Sequence, residues 1–419
     1  MELRLQSNFK TMSGHLLYHQ YVPKERRREI KLLLLCALGF LDTEDIKEIS
    51  SIANNSLDWK YLIETAYSHK LQYLLYRSLK KVCPESVPNE DLQKLELDYA
   101  ANAKDSLLIT AKLLSILRLL EKNDILALPF KGPVLAETVY GDYAARQFGD
   151  LDILIHRKNI LKAINIFEDH GFKKEIDLNQ EQIAAYSTKK NSIGLISSIS
   201  GLAVDLHWEM SGSYSYYPFI LNSMEPDLVH GTLLGKTVLL PSKEDLLTYL
   251  CLNGTKDCWE DLESLCSLGC LVQSTKELDW MKVKGLARKM RCERILSLSL
   301  FMIKDLFDIE LSEDAKELLK KDASLPSLAS TVYDNLFNKS AELSVFKEKP
   351  KFSMFHFKVR DRWSEKFRYG KQIILGPTVQ EWVRIPVPAK LSFVYGILRP
   401  VRLFATFLTR RLRIEGLGD

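Results

Sequence analysis

A chain of 419 residues and 48.2 kDa, 46% hydrophobic and 27% charged with 19 glycines and 14 prolines, cannot be collagen-like, low-complexity or wholly disordered, and its length predicts two or three domains. Its net charge of +4 is unevenly spread: residues 347–419 hold 16 basic and 6 acidic side chains, and the rest holds 42 and 48. A mildly acidic body thus carries a basic C-terminal quarter, suited to an anionic partner or an acidic surface.

The opening MELRLQSNFK lacks the apolar core of a signal peptide, and no stretch approaches the ~20 apolar residues of a membrane span, so the expected location is cytoplasmic. Residues 24–122 read as helical. The KERRR run at 24–28 is a solvated helix start and 32–38 is densely apolar. Asp58 and Trp59 open another helix, and Pro84 and Pro88 interrupt the pattern. Asn89 is the expected cap of a long helix carrying Leu92, Leu95, Tyr99, Leu113, Leu117 and Leu120. The period then changes. A short apolar run at 125–130 predicts a strand, Lys131-Gly132-Pro133 punctuates, and 134–140 has helical spacing. A second strand is expected at 151–156, then a helix over 160–170 that Gly171 can end in the left-handed conformation. Residues 172–176 look extended, and 192–198 with 202–208 flank Ser200-Gly201 as a hairpin. Helical spacing returns from 242 and runs to about 337.

The expected fold is α+β: a small mixed-sheet core at 123–210, embedded between helical regions at 1–122 and 211–346, with a basic, aromatic-rich segment at 347–419. Seven cysteines, an odd number without a C-x-x-C pair, argue against a disulfide framework or a zinc knuckle. Cys266 and Cys270, four apart, read as small buried hydrophobes on one helix face.

Chemistry concentrates between Phe130 and Ile155. Asp150 and Asp152 stand at i and i+2 of a predicted strand, so both carboxylates leave one face while Leu151, Ile153 and Ile155 leave the other. Two carboxylates about 7 Å apart along a strand repel each other unless a cation lies between them, which suits Mg2+ or, as the alternative ion, Mn2+. Asp205, in LAVDLHWEM, can supply a third carboxylate if its strand neighbours the first. It then shares a face with His207 and Glu209, and His207 beside Trp208 reads as a packing histidine. Gly132 permits a tight turn and Pro133 suits a first helical position. The first-turn N–H groups of that helix would favour phosphate, with Lys131 and Arg146 adding positive charge. P-loop, G-x-G-x-x-G and H-E-x-x-H signatures are absent. Carboxylates on one strand face cannot flank a glycosidic bond.

The string from Lys131 to Ile155, followed by Val204-Asp205-Leu206-His207-Trp208, resembles the polymerase-β-like nucleotidyltransferase superfamily, and more closely its bacterial "uncharacterised nucleotidyltransferase" family. The resemblance implies that Asp150, Asp152 and Asp205 are catalytic and hold Mg2+. It also implies that Lys131, Gly132 and Arg146 contact the nucleotide, and that a nucleoside monophosphate passes from an NTP, with ATP expected, to an acceptor hydroxyl as pyrophosphate leaves. Three departures stand out: Pro133 cannot donate an N–H, 17 residues separate Gly132 from Asp150, and Asn253 stands where a histidine is expected, so no site is assigned there. The first two raise the alternative of a catalytically inactive binding or scaffold module of the same fold. For the apolar, basic stretch 391–413, packing on the helical body is preferred to an anionic membrane surface. DNA is not an expected partner, and no base-stacking module for RNA is recognisable.

Overall fold

The computed structural model describes residues 16–39, 41–210, 219–275, 278–338, 354–384 and 387–402. The N-terminal region is helical: α1 (Arg27–Ala37), α2 (Thr43–Ala53), α3 (Trp59–Ser68), α4 (Gln72–Val82) and the long α5 (Asn89–Glu121). Asp42 caps α2 by accepting from the Glu44 and Asp45 N–H groups, and Asp58 caps α3 by accepting from Tyr61. Helix α5 begins at Asn89 itself, directly after Pro88 at φ −53°, so Asn89 is its first residue and not its cap. Two arginines of the basic run are engaged locally: Arg26 pairs with Asp58 at 2.6 Å, and Arg27 donates to the His19 carbonyl.

The sheet segment follows: β1 (Ala127–Pro129), α6 (Pro133–Tyr140), β2 (Asp150–Ile155), α7 (Ile160–Asp169), β3 (Phe172–Lys174), α8 (Gln180–Ser187), β4 (Ser192–Ser197) and β5 (Ala203–His207). Spatial order is β1-β2-β5-β4-β3. Only β2 and β5 run parallel; the other neighbours are antiparallel. A parallel pair needs a long crossover, which α7, β3, α8 and β4 supply. Gly171 at φ 80° follows α7, and Gly201 at φ 67° turns β4 into β5.

Beyond the sheet lie α9 (Leu221–Met224), then the hairpin of β6 (Val229–Leu233) and β7 (Lys236–Leu240). Sequence patterning did not anticipate this hairpin. Its turn holds Leu234 at φ 46° and Gly235 at φ 70°, and leucine is not a residue one expects in the left-handed region. Then come α10 (Lys243–Lys256), α11 (Leu262–Ser274), α12 (Trp280–Met290), α13 (Glu293–Phe307), α14 (Glu313–Leu319), α15 (Leu325–Phe337), α16 (Met354–Lys358), α17 (Trp363–Leu375) and α18 (Val379–Arg384).

Among the described residues a small cluster of Ile63, Tyr76 and Leu95 and two large apolar cores fill the molecule. One joins α1 and α4 to α10, α11 and α13, and reaches the sheet through Leu128, Phe130 and Leu154. The other lies on the opposite sheet face around Leu151, Ile153, Val204 and Leu206, and is covered by α7 and α8. Trp382, Val387 and Tyr395 of the C-terminal segment close this second core, with Trp382 stacked 4.2 Å from Tyr395. Cys266 and Cys270 are buried and donate to the carbonyls of Ala37 and Leu38, tying α11 to the end of α1. Residues 403–413 of the apolar, basic stretch lie outside the described residues. Among the described residues no helix is long and apolar enough to cross a membrane.

Candidate functional site

The site forms where β1 and β2 meet the helical body. Gly132 holds φ 43°, ψ −112°, a backbone open essentially to glycine, and so turns the chain from β1 into α6. Pro133 takes the first helical position as expected. Its ring removes one N–H, and the Val134 N–H donates to the Lys131 carbonyl at 2.8 Å. Two donors that a phosphate could have used at this terminus are therefore unavailable.

The register of β2 on β5 sets Asp150 beside Ala203 and Asp152 beside Asp205. Because Asp152 and Asp205 are register partners and His207 is two residues beyond Asp205, all three leave the sheet on one face. Oxygens of the two carboxylates and a ring nitrogen of His207 all lie within 4.8 Å of one another. His207 Nε2 is 3.0 Å from Asp152 Oδ1, and Lys131 Nζ donates to the same oxygen at 3.2 Å. The second oxygen, Oδ2, is buried without a hydrogen-bond partner. Burial alone would raise the Asp152 pKa. The bond from His207 and the Lys131 charge outweigh it, so the carboxyl stays ionised below its ordinary range.

Asp205 is shifted the other way. Burial raises its pKa and repulsion from Asp152 and Asp150 adds to the rise, with His207 opposing. Asp150 sits at the exposed start of β2, outside the close group, although its charge reaches Asp205. Burial works against the Lys131 ammonium, but Tyr249 and Asp152 together hold its pKa above the usual lysine range. Its Nζ lies 5.9 Å from the centre of the Tyr249 ring. Phe130 packs edge-on against both His207 and Tyr249, sealing the inner wall.

Arg146 lies on the loop between α6 and β2, which the N-terminal helices clamp. Asp142 accepts from Tyr99 Oη at 2.6 Å and from Arg77 at 3.3 Å, and Asn102 donates to the carbonyls of Ala144 and Arg146. The Arg146 side chain turns to Glu263 in the first turn of α11, with Nε 3.1 Å from Oε1. Glu263 also accepts from Ser267 Oγ, and Tyr140 shares a bond with that same hydroxyl. Burial disfavours the Arg146 charge, yet Glu263 more than offsets this, and Nη1 remains buried without a partner.

The fold therefore brings Lys131, Asp152, Asp205 and His207 together, with Gly132 at the turn above and Asp150 at the rim. It holds Arg146 nearby on a carboxylate that sequence reading did not single out. Tyr249 and the partnership of His207 with Asp152 were also missed. The signal for His207 was present: it alternates with Asp205 on one strand face, and that face meets Asp152 only when β5 pairs with β2.

A five-stranded mixed sheet with aspartates aligned across its parallel pair, set among helices, defines a nucleotidyltransferase core. The chain matches the family described as "Uncharacterised nucleotidyltransferase" over residues 55–308, more than half of its length. It belongs to that family, and is a transferase of the nucleotidyl class. No curated protein matches it in sequence. Among solved structures, that of the antibiotic-resistance factor ANT(2'')-Ia is similar at 14% identity, covering 44% of this chain and 91% of its own, with a TM-score of 0.32.

Proposed function

We propose that the protein transfers a nucleoside monophosphate from an NTP, with ATP the expected donor, to an acceptor hydroxyl, releasing pyrophosphate and depending on Mg2+. One observation carries the reading: Asp152 and Asp205 face each other across a parallel register, and Asp152 Oδ2 is buried without a hydrogen-bond partner. A buried carboxylate oxygen left unpaired is costly unless a cation completes it. A paired-aspartate donor set suits a hard divalent ion, so the residues fit Mg2+, with Mn2+ the alternative. Asp152 and Asp205 would hold it, joined by Asp150 from the rim. When bound, the ion would offset charge developing on the phosphate oxygens.

The remaining steps belong to the chain itself. His207 and Lys131 fix Asp152 through its other oxygen, so the free one keeps a single orientation. Asp205, facing Asp152 across the register, is the carboxylate placed to receive the acceptor's proton. The acceptor oxygen bonds to the α-phosphorus, the α–β bridging P–O bond breaks, and pyrophosphate leaves with that electron pair. Lys131 and Arg146 supply positive charge toward the triphosphate, and the Gly132 turn allows close backbone approach.

The test is Mg2+-dependent pyrophosphate release from an NTP across a panel of hydroxyl acceptors. Asp205→Asn should keep nucleotide binding while lowering turnover by about 10^3-fold, the scale of losing general-base and electrostatic help. Calorimetry detecting neither Mg2+ nor NTP binding overturns the proposal. NTP binding without turnover on any acceptor would favour the catalytically inactive module that Pro133 and the long interval raise.

A further inference from the structure

Exposed apolar side chains are not spread evenly over the molecule. Ten of the 19 large ones among the described residues fall within residues 354–402. On α17, Trp363 (77% exposed), Phe367 (75%) and Ile374 lie at i, i+4 and i+11, with Lys371 between them at i+8, so they form one solvent-facing stripe. Phe393, Ile397 and Val401 make a second stripe at four-residue spacing in the last described helical segment. The two elements that carry the stripes touch: Arg399 Nε donates to the Ile373 carbonyl, and Gly396 lies against the Leu375 carbonyl at the C-terminal end of α17. Side chains of this size are normally scattered singly over a surface, whereas a contiguous set marks something that covers them.

Charge identifies what covers them. Residues 354–402 hold ten basic and three acidic side chains. Glu365 and Glu381 are buried, as are Arg360 and Arg399, and Arg402 pairs with Glu381; Asp361 pairs with Arg294 at 2.6 Å, while Lys358, Arg362, Arg368 and Lys371 stay exposed and leave the face basic. Lys366 lies over the Trp363 ring at 5.2 Å, placing a cation at the border of the apolar stripe. A second copy docking by the same face would set one cationic surface against another, so self-association is disfavoured. Exposed aromatic and aliphatic side chains rimmed by lysine and arginine match a headgroup layer with acyl chains beneath. A single apolar surface gives weak, reversible attachment, and basic residues next to it supply the second signal.

We propose that α17 and the segment 389–402 form a membrane-interface face that docks the protein on anionic phospholipid, with Trp363, Phe367, Phe393 and Ile397 entering the headgroup layer. The inner side of this segment anchors to the catalytic sheet through Trp382 and Tyr395, so docking holds the whole molecule at the surface without a spanning helix. The inference stands independently of the transfer reaction.

The test is co-sedimentation of the full chain with vesicles of phosphatidylcholine alone and with about one third phosphatidylglycerol. Binding to the anionic vesicles should be at least about tenfold tighter and should weaken steeply in about 0.5 M salt. Trp363→Ala with Phe367→Ala should weaken it by about tenfold or more while leaving the melting temperature unchanged, both side chains being exposed. Brominated acyl chains should quench tryptophan emission, and Trp363→Phe should abolish that quenching. Equal sedimentation with neutral and anionic vesicles, or of the double variant and the parent, overturns the proposal. So does a concentration-dependent dimer, seen by sedimentation velocity, that the double variant removes.

Discussion

At the scale of single residues, backbone shape and unpaired atoms dominate. Gly132 sits at φ 43°, ψ −112°, and an added Cβ would meet the Asp150 carbonyl and the Phe148 ring only at about 3.5 Å, an ordinary contact. Space is therefore not the obstacle to a side chain; the backbone conformation is. Gly132→Ala should destabilise by about 1–3 kcal/mol, read from the urea midpoint, and should weaken NTP binding because the turn above the carboxylates moves. An unchanged midpoint would mean that the turn relaxes freely. Much of this site was legible in the chain itself. Alternation alone assigns Asp150 and Asp152 to one face, and the Lys-Gly-Pro string announces a strand-to-helix turn. The partner of Arg146 was not legible, because Glu263 is 117 residues away and only folding brings it there.

At the scale of elements, buried charges decide which contacts matter. Arg146 on the α6–β2 loop and Glu263 on α11 lie almost wholly out of water, with side-chain exposures of 14% and 9%. Glu263→Ala would leave the guanidinium uncompensated, and a loss of about 3–5 kcal/mol is expected. Arg146→Met with Glu263→Leu should recover most of that loss, because an apolar pair needs no counter-charge. Equal destabilisation in the single and double variants would show that Glu263 acts by packing alone. The seat of α16 on α10 answers to pH instead. His356 contacts the Lys256 carbonyl through Nε2 at 3.1 Å, and Cys258 Sγ is 3.4 Å from its Nδ1. Burial, with the Arg360 charge adding, pushes its pKa from 6.5 down to about 4. The unfolded chain therefore takes up this proton first. Stability contributed by the neutral ring is complete above about pH 6.5 and is lost as pH falls toward 4, by up to about 3 kcal/mol. His356→Gln should flatten that limb of a urea-midpoint profile, and an unchanged slope would assign the acid sensitivity elsewhere.

At the scale of the whole molecule, the five-stranded sheet has no independent interior. Leu128, Phe130 and Leu154 belong to the same apolar core as Leu32, Leu74, Leu247 and Leu265, which come from both helical regions. The opposite face is closed by Trp382 and Tyr395 from near the C-terminus. A fragment of residues 123–210 alone would expose both faces, so it should lack a cooperative thermal transition and dispersed amide resonances. A folded fragment would show that the helices decorate the core and do not complete it. The same architecture pins the loop carrying Arg146 at both sides: Tyr99, Arg77 and Asn102 hold it from one and Glu263 from the other.

Periodicity, turn chemistry and residue type are local, so the chain by itself determined most of its helices and the strands of the mixed sheet, the facing of Asp150 with Asp152, the glycine turn and its nucleotidyltransferase membership, but not the β6–β7 hairpin. Strand order is not local. Only pairing in space could set Asp205 beside Asp152 in a parallel register, turn His207 from a packing residue into a partner of that carboxylate, and bury Arg146 on Glu263. The tertiary structure also decided which apolar residues of the basic segment stay in water, since helical spacing marks a stripe but not the side on which the protein lies.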